Sequence, residues 1–519
     1  MKKYLAFLRR PTVMLLIGAL LAALPLTFPS LFLLSWISTI PFFLVLLQFA
    51  GRGNGFRALG RGLWFGFFFH FFVYFWFLWL YPLDFTGLTR GQSFLVVALA
   101  WLGISLLHGA LYAIPTLLVH WVSQKIHNRV FLVFLGVFGI VAAQRLLYVS
   151  EIAFPWVRIC LGQYRAPVLI QFASVLGMDG VECLILSVSA LLALAVSKGN
   201  FKKNRAFILA AVLFVSNLFF GVFSMLDSAS GETITVASVQ GCILSGEKWD
   251  GSTSAYDTYF SLTEEHTGEE VDLVVWPESA VPINLASYPE ILEDYQSLAE
   301  KVRARILAGC FHKIDGVTSN SAVLLDETDV VGIYSKRHLV PVGEKLPYRS
   351  FVEKTMPFLT KINMLSHDLA SGKDSALMET QEGVYGVLIC FESVFPELCL
   401  DSVRDGAEML VVVTNDSWYE DSPGIWQHLA QSVFRSVETS RSIIRCANSG
   451  VSAFIDHNGT VQSYLGPLEQ GVLQDEVSFH SSTTVYTVVG DCLVPVSFVG
   501  MLLWGAWIFL RERREKDAR

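Results

Sequence analysis

Long apolar runs fill the chain up to about Phe223, then give way to short apolar runs broken by charge, glycine and turns. A helix needs roughly 20 apolar residues to cross the hydrocarbon core of a bilayer. Runs of that kind lie near 12–28, 30–50, 62–82, 92–122, 130–149, 168–197 and 206–226, and another follows at 489–510. They predict eight transmembrane helices. Only Pro29 separates the first two, which predicts a helical hairpin, and 92–122 is long enough to tilt or to extend beyond the bilayer. Lys2, Lys3, Arg9 and Arg10 ahead of the first run also fit a signal peptide, but the spans that follow favour a retained helix.

The middle of the chain has a different rhythm. Asp272-Leu-Val-Val-Trp276, Arg305-Ile-Leu-Ala-Gly309, Ala322-Val-Leu-Leu325, Val384 to Ile389 and Met409-Leu-Val-Val-Val413 read as buried strands. Helical patterns lie around 289–304, 395–405 and 424–442. Strands alternating with helices imply an α/β sandwich. The expected organisation is a seven-span region at 1–226, a catalytic α/β domain at 227–488, and a last helix with a basic tail at 489–519.

Composition and charge sharpen this picture. With 53% hydrophobic and 16% charged residues, the 519-residue chain is too apolar for an ordinary soluble protein. A net charge of −8 without a basic, aromatic-interleaved patch excludes a nucleic-acid partner. The eight cysteines stand singly, so neither a disulfide framework, a metal site nor a cofactor is expected. Eight crossings put Lys2, Lys3, Arg9, Arg10, Arg52, Arg57, Arg61, Lys125, Arg129, Lys198, Lys202, Lys203, Arg205 and the tail on one side. The opposite short loops hold only Arg90, Arg158 and Arg165. The positive-inside rule makes the first side cytoplasmic and the 227–488 domain extracytoplasmic. Within the 168–197 span, Asp179 and Glu182 read either as functional acids or as a packed polar contact.

Three stretches of the α/β domain carry chemistry: Val274-Val-Trp-Pro-Glu278, Tyr334-Ser-Lys336-Arg-His-Leu-Val-Pro341, and Leu388-Ile-Cys390-Phe391-Glu392. They supply a carboxylate, an ammonium and a thiol, each at or just beyond a strand-like run. A cysteine nucleophile needs a base to remove its proton and a cation for the oxyanion its attack creates. Taken singly, Glu278 is an ordinary turn residue, Lys336 a solvated lysine and Cys390 a small buried hydrophobe. Arg337 and His338 compete with Lys336 for the cationic role.

Trp-Pro-Glu, Tyr-x-Lys-x-His-Leu-Val-Pro-x-Gly-Glu and Cys-[aromatic]-Glu-x-x-Phe-Pro-Glu resemble the motifs of the nitrilase superfamily, which has an αββα sandwich and a Glu–Lys–Cys triad. Further matches are Val239-Gln240 with Lys248-Trp249-Asp250, Thr414-Asn-Asp-Ser-Trp418 and Arg445-Cys-Ala-Asn-Ser-Gly-Val451. Several spans before the domain and one after it make the whole layout similar to the apolipoprotein N-acyltransferase family. The resemblance implies Cys390 as nucleophile, Glu278 as general base and Lys336 as oxyanion partner. It implies supporting roles for Glu344, Phe391 and Glu392; Phe391 stands where the best-known members have tyrosine. Trp249 and Trp418 would line the substrate path or pack in the core. The apolar segment 346–365 would be a lid at the membrane interface or a cover over the domain core.

The implied reaction moves an acyl chain from a phospholipid, through a thioester on Cys390, to the α-amino group of a lipoprotein's diacylglyceryl-cysteine. The implied setting is the outer face of the bacterial inner membrane, with phospholipid and diacylated apolipoprotein as partners. Two alternatives stand beside it: a membrane-anchored nitrilase-type amidase, and an inactive transporter or scaffold.

Overall fold

The computed structural model describes residues 10–83, 88–197, 205–226, 231–243, 254–268, 270–284, 287–355, 360 and 368–517. Its contacts divide the chain into two units, one of Met1–Leu78, Leu95–Leu226 and Val489–Arg519, the other of Trp79–Phe94 and Asp227–Val488.

The first unit is helical. Among the described residues, seven helices are long and apolar enough to cross a membrane: Pro29–Phe49, Gly55–Leu80, Arg90–Val122, Arg129–Tyr148, Ala173–Ser197, Arg205–Ser224 and Leu493–Glu515. Pro11–Thr27 is a shorter apolar helix. Pro29–Phe49 is less regular than its hydropathy implies. It runs through a 3-10 stretch, Pro29–Leu34, a single turn, Ser35–Ser38, and an α-helix, Ile40–Phe49, whose start carries Pro41. Proline cannot donate to the preceding turn, so the helix restarts there. The predicted 168–197 span breaks at Leu176 and Gly177, where Gly177 takes φ +64°.

The helices Gly55–Val73 and Arg90–Val122 approach most closely at small residues. Gly62 and Gly66, one turn apart, face the helix Arg90–Val122. A Cβ on Gly66 would lie 2.5 Å from the Gly109 carbonyl oxygen, and one on Gly62 would lie 2.4 Å from that of Tyr112. Only glycine permits that approach. The acids of the helix Ala173–Ser197 are partnered. Asp179 receives Arg145 Nε at 2.7 Å and also pairs with Arg158. Arg145 in turn reaches Asp491. Glu182 accepts from Gln144 Nε2 at 3.2 Å and from the Cys160 N–H at 2.8 Å. This is the packed polar contact, which is how charge is tolerated inside an apolar bundle.

The second unit is a two-sheet sandwich. Its strands are β1 (Thr233–Gln240), β2 (Leu273–Val275), β3 (Val281–Asn284), β4 (Arg305–Ile314), β5 (Val317–Leu325), β6 (Val330–Ser335), β7 (Leu377–Glu379), β8 (Val384–Ile389), β9 (Met409–Thr414), β10 (Ser442–Ala447), β11 (Ser452–Ile455), β12 (Val461–Leu465) and β13 (Gly471–Ser478). One sheet has the order β13-β1-β2-β4-β5-β6 with β3 on β4, and the other β12-β11-β10-β9-β8-β7. Side chains alternate across each strand. Val236, Val275 and Leu307 therefore meet Val387, Ile389, Val411, Val413 and Ile444 between the sheets. Ala237, Val274, Trp276 and Ile306 face the other way, onto Tyr259 and onto Tyr295 and Leu298 of the helix Pro289–Val302.

β8, β9 and β10 are parallel, with Ile389 opposite Val413 and Cys446 also opposite Val413. The helices Pro396–Arg404 and Pro423–Thr439 make the crossovers that parallel pairing requires. β1, β2 and β4 are likewise parallel. Side chains just beyond the carboxyl ends of β2 and β8 are where such sheets gather reactive groups.

Candidate active site

β8 is apolar and almost wholly buried, as a strand between two neighbours must be. The chain leaves it through one 3-10 turn, Cys390–Val394, before Pro396 opens the next helix. That turn holds Cys390 at φ +55°, a left-handed backbone that a residue with a Cβ adopts at a cost of about 1–3 kcal/mol. Ile389, Phe391 and Glu392 are buried, while Cys390 between them is partly exposed. The strained turn thus presents one sulfur at the end of the strand.

The turn is braced from beneath. Ser393 Oγ donates to the Cys390 carbonyl at 2.9 Å, and His428 Nε2 lies 3.2 Å from the same oxygen. His428 Nδ1 is 2.9 Å from Asp416 Oδ1, and Arg445 Nη2 donates to Asp416 Oδ2 at 2.7 Å. All three of these side chains are fully buried. Burial works against the Asp416 anion, but Arg445 and His428 outweigh it and hold the carboxyl well below its usual range.

Glu392 ties this turn to the lysine loop. Its Oε2 accepts the Ile389 N–H at 2.8 Å. Its Oε1 accepts the Tyr334 hydroxyl at 2.9 Å and the N–H groups of Arg337 at 2.7 Å and His338 at 3.1 Å. One buried carboxylate therefore fixes Cys390 and Lys336 in a common frame.

Lys336 has no exposed surface. Its own N–H donates to Asn320 O and its carbonyl accepts from Gly372, both at 2.8 Å. Nζ lies 3.1 Å from Glu278 Oε1 and 2.9 Å from Glu344 Oε1. Asn320 Nδ2 bridges the same two oxygens at 2.7 and 2.8 Å. Glu278 Oε2 accepts the Asn415 N–H at 2.8 Å, and Glu344 Oε2 that of Val340 at 2.8 Å. Burial disfavours the ammonium, yet the two carboxylates outweigh it and raise the lysine pKa well above its ordinary value.

The thiol is governed by the same charges. Burial raises the Cys390 pKa most, and Glu278 adds to the rise, while Lys336 pulls it down. At neutral pH the resting group is therefore a neutral thiol beside a carboxylate and a fixed cation. Attack by that sulfur requires proton removal in the same step, and an ammonium that is already positioned can receive developing negative charge without reorganising.

The structure thus brings Glu278, Lys336 and Glu344 into direct contact, with Glu392 linking their loop to Cys390. Phe391 is 3% exposed, and its ring packs edge-on against Phe395 at 5.1 Å. Its side chain is a packing contact. Trp418 is half-buried in the turn Ser417–Tyr419. Trp249 lies outside the described residues, as do 356–359 and 361–367 of the expected lid. Phe351, on the short helix Arg349–Thr355, is 61% exposed. Sequence reading missed Asn320 and His428. Asn320 sits in the polar half of β5, and His428 on a helix face whose polar side chains are buried.

Two family models match the chain: carbon-nitrogen hydrolase over residues 235–486, and the apolipoprotein N-acyltransferase N-terminal domain over residues 18–191. The chain is 29% identical to an apolipoprotein N-acyltransferase of Geobacter metallireducens, over 97% of this chain and 96% of the other. It is 30% identical to one of Allorhizobium ampelinum, over 81% of each. A solved carbon-nitrogen hydrolase from Helicobacter pylori is 16% identical over 52% of this chain and 99% of that one, with a TM-score of 0.38.

Proposed function

Because the chain belongs to the apolipoprotein N-acyltransferase family, we propose that it carries an acyl chain from a phospholipid to the α-amino group of a diacylglyceryl-cysteine at a lipoprotein's N-terminus. The observation that carries this reading is Cys390, held in a left-handed backbone at a strand end with its thiol under the opposing influence of Glu278 and Lys336.

In the first half-reaction Glu278 takes the thiol proton as Cys390 Sγ attacks the ester carbonyl of the phospholipid. The tetrahedral oxyanion forms against Lys336 Nζ. Collapse breaks the ester C–O bond, and Glu278 returns the proton to the departing lysophospholipid. In the second half-reaction the lipoprotein amine attacks the thioester and Glu278 takes its proton; collapse breaks the C–S bond, and Glu278 returns the proton to Cys390 Sγ, which leaves an amide on the lipoprotein. This is ping-pong chemistry. Glu344 holds Lys336 from its other side, and Asn320 keeps the two carboxylates together. Cys390 needs no cofactor for either step.

The basic residues on one side of the spans support a periplasmic position for residues 227–488, in the inner membrane of a bacterium. Both substrates then stay in the bilayer throughout.

The test is incubation of the purified protein with phospholipid labelled in its acyl chain and a synthetic diacylated lipopeptide. N-acylated peptide is the expected product. Release of free fatty acid without peptide acylation would assign the site to hydrolysis and reject transfer.

A further inference from the structure

Asp456 and His457 form the turn between β11 and β12, and His480 follows the end of β13. Ile455 pairs with Ile443 at the start of β10, and the His480 N–H donates to Glu408 O just before β9. Cys390 lies beyond the carboxyl end of β8, which runs parallel to β9. The two histidines and Asp456 thus gather at the opposite edge of the sheet from the nucleophile.

One ligating atom from each of the three lies within 4.8 Å of the other two. Asp456 Oδ1 is 2.7 Å from His457 Nδ1 and 3.8 Å from His480 Nε2. The imidazole rings sit 4.3 Å apart, centroid to centroid. His480 is 4% exposed, and neither of its ring nitrogens has a hydrogen-bond partner. A buried polar atom left unpaired costs about 1–3 kcal/mol, so two on one ring call for an occupant.

Arg441, although near, is committed to backbone carbonyls: Nε to Ala407 at 2.7 Å, and Nη1 to Ser482 at 2.6 Å, Ser440 at 3.1 Å and Thr439 at 3.2 Å.

We propose that Asp456, His457 and His480 bind a zinc-class divalent ion, with water or another small ligand in the fourth position. Two imidazoles and one carboxylate suit zinc, nickel or copper, and are a poor set for magnesium or calcium. In a tetrahedral zinc site, ligating atoms stand roughly 3.3 Å apart, given bonds of about 2.0–2.2 Å. His480 Nε2 needs to approach Asp456 by only about 0.5 Å on that basis. The ion would pin the β11–β12 turn to the chain leaving β13. Such a site is structural and plays no part in acyl transfer.

The test uses the full-length protein in detergent, stripped with a chelator, with Cys390→Ala to remove the competing thiol. Zinc is titrated by calorimetry, and thermal unfolding is followed with and without the metal. One zinc per chain and a raised Tm are expected, with affinity falling about tenfold or more in His480→Gln and in Asp456→Asn. His457→Ala, at the more open side of the cluster, gives the same readout should His480→Gln fail to fold. No uptake, or uptake unchanged by these substitutions, would overturn the site and leave water as the occupant.

Discussion

Replacing Lys336 with methionine keeps most of the length of the side chain and removes its charge. The Oε1 atoms of Glu278 and Glu344, now 3.1 and 2.9 Å from Nζ, would be left with Asn320 as their shared donor. Each contact at that distance is worth about 5 kcal/mol at an effective dielectric of 20, before desolvation is subtracted. Removing one partner from a buried ionic cluster costs about 3–5 kcal/mol net. Uptake of a proton by one carboxylate relieves part of this, so a stability loss near the lower end, about 3 kcal/mol, is expected. The chemical effect is separate. Loss of a single oxyanion donor slows acyl transfer about 100- to 1000-fold. The Cys390 pKa also rises further without the cation, so alkylation of the thiol at fixed pH slows. Single-turnover acylation followed by intact mass, alongside thermal unfolding, separates the two effects. A folded Lys336→Met protein that acylates Cys390 within about tenfold of the wild-type rate would refute the assigned role.

Other perturbations probe the frame. His428→Ala removes the brace on the Cys390 carbonyl, and acylation is expected to fall about tenfold or more while phospholipid binding holds; equal loss of both would mean a folding defect. Gly66→Ala forces a methyl group against the Gly109 backbone, which should destabilise the helical unit by about 1–3 kcal/mol in detergent melts; an unchanged Tm would contradict that packing. Without added metal, His480 holds a folded-state pKa of about 4 against an ordinary 6.5. The unfolded chain therefore binds the proton first, so stability is full above pH 6.5 and declines as pH falls towards 4. His480→Gln should flatten that decline, and an unaltered pH profile would reject the cause.

The sequence is most legible where burial is uniform. β8 and β9 are continuous apolar runs because helices or the opposite sheet cover both faces, and their pattern could be read directly. The first half of β5, Val317–Ser321, is polar, and its strand character comes from pairing with β4. Asn320 was hidden there for that reason. In the helix Pro423–Thr439, Gln427, His428, Gln431, Ser432 and Arg435 are all buried. Such a face looks solvated until its partners, Asp416 and Arg445 among them, are known. Hydropathy located the apolar helices but could not see the restart near Pro41 or the break at Gly177, since an average over a whole span does not register a local change of backbone. Glu278, Lys336 and Cys390 were each visible as motifs, whereas Asn320 as the bridge between Glu278 and Glu344 needed coordinates.

The most direct measurement is mass spectrometry of the purified protein after exposure to phospholipid, with and without a diacylated lipopeptide. One fatty-acyl thioester on the Cys390 peptide, absent in Cys390→Ser and discharged when the lipopeptide is added, is the expected result. An unmodified Cys390 in protein that still acylates the lipopeptide would contradict it.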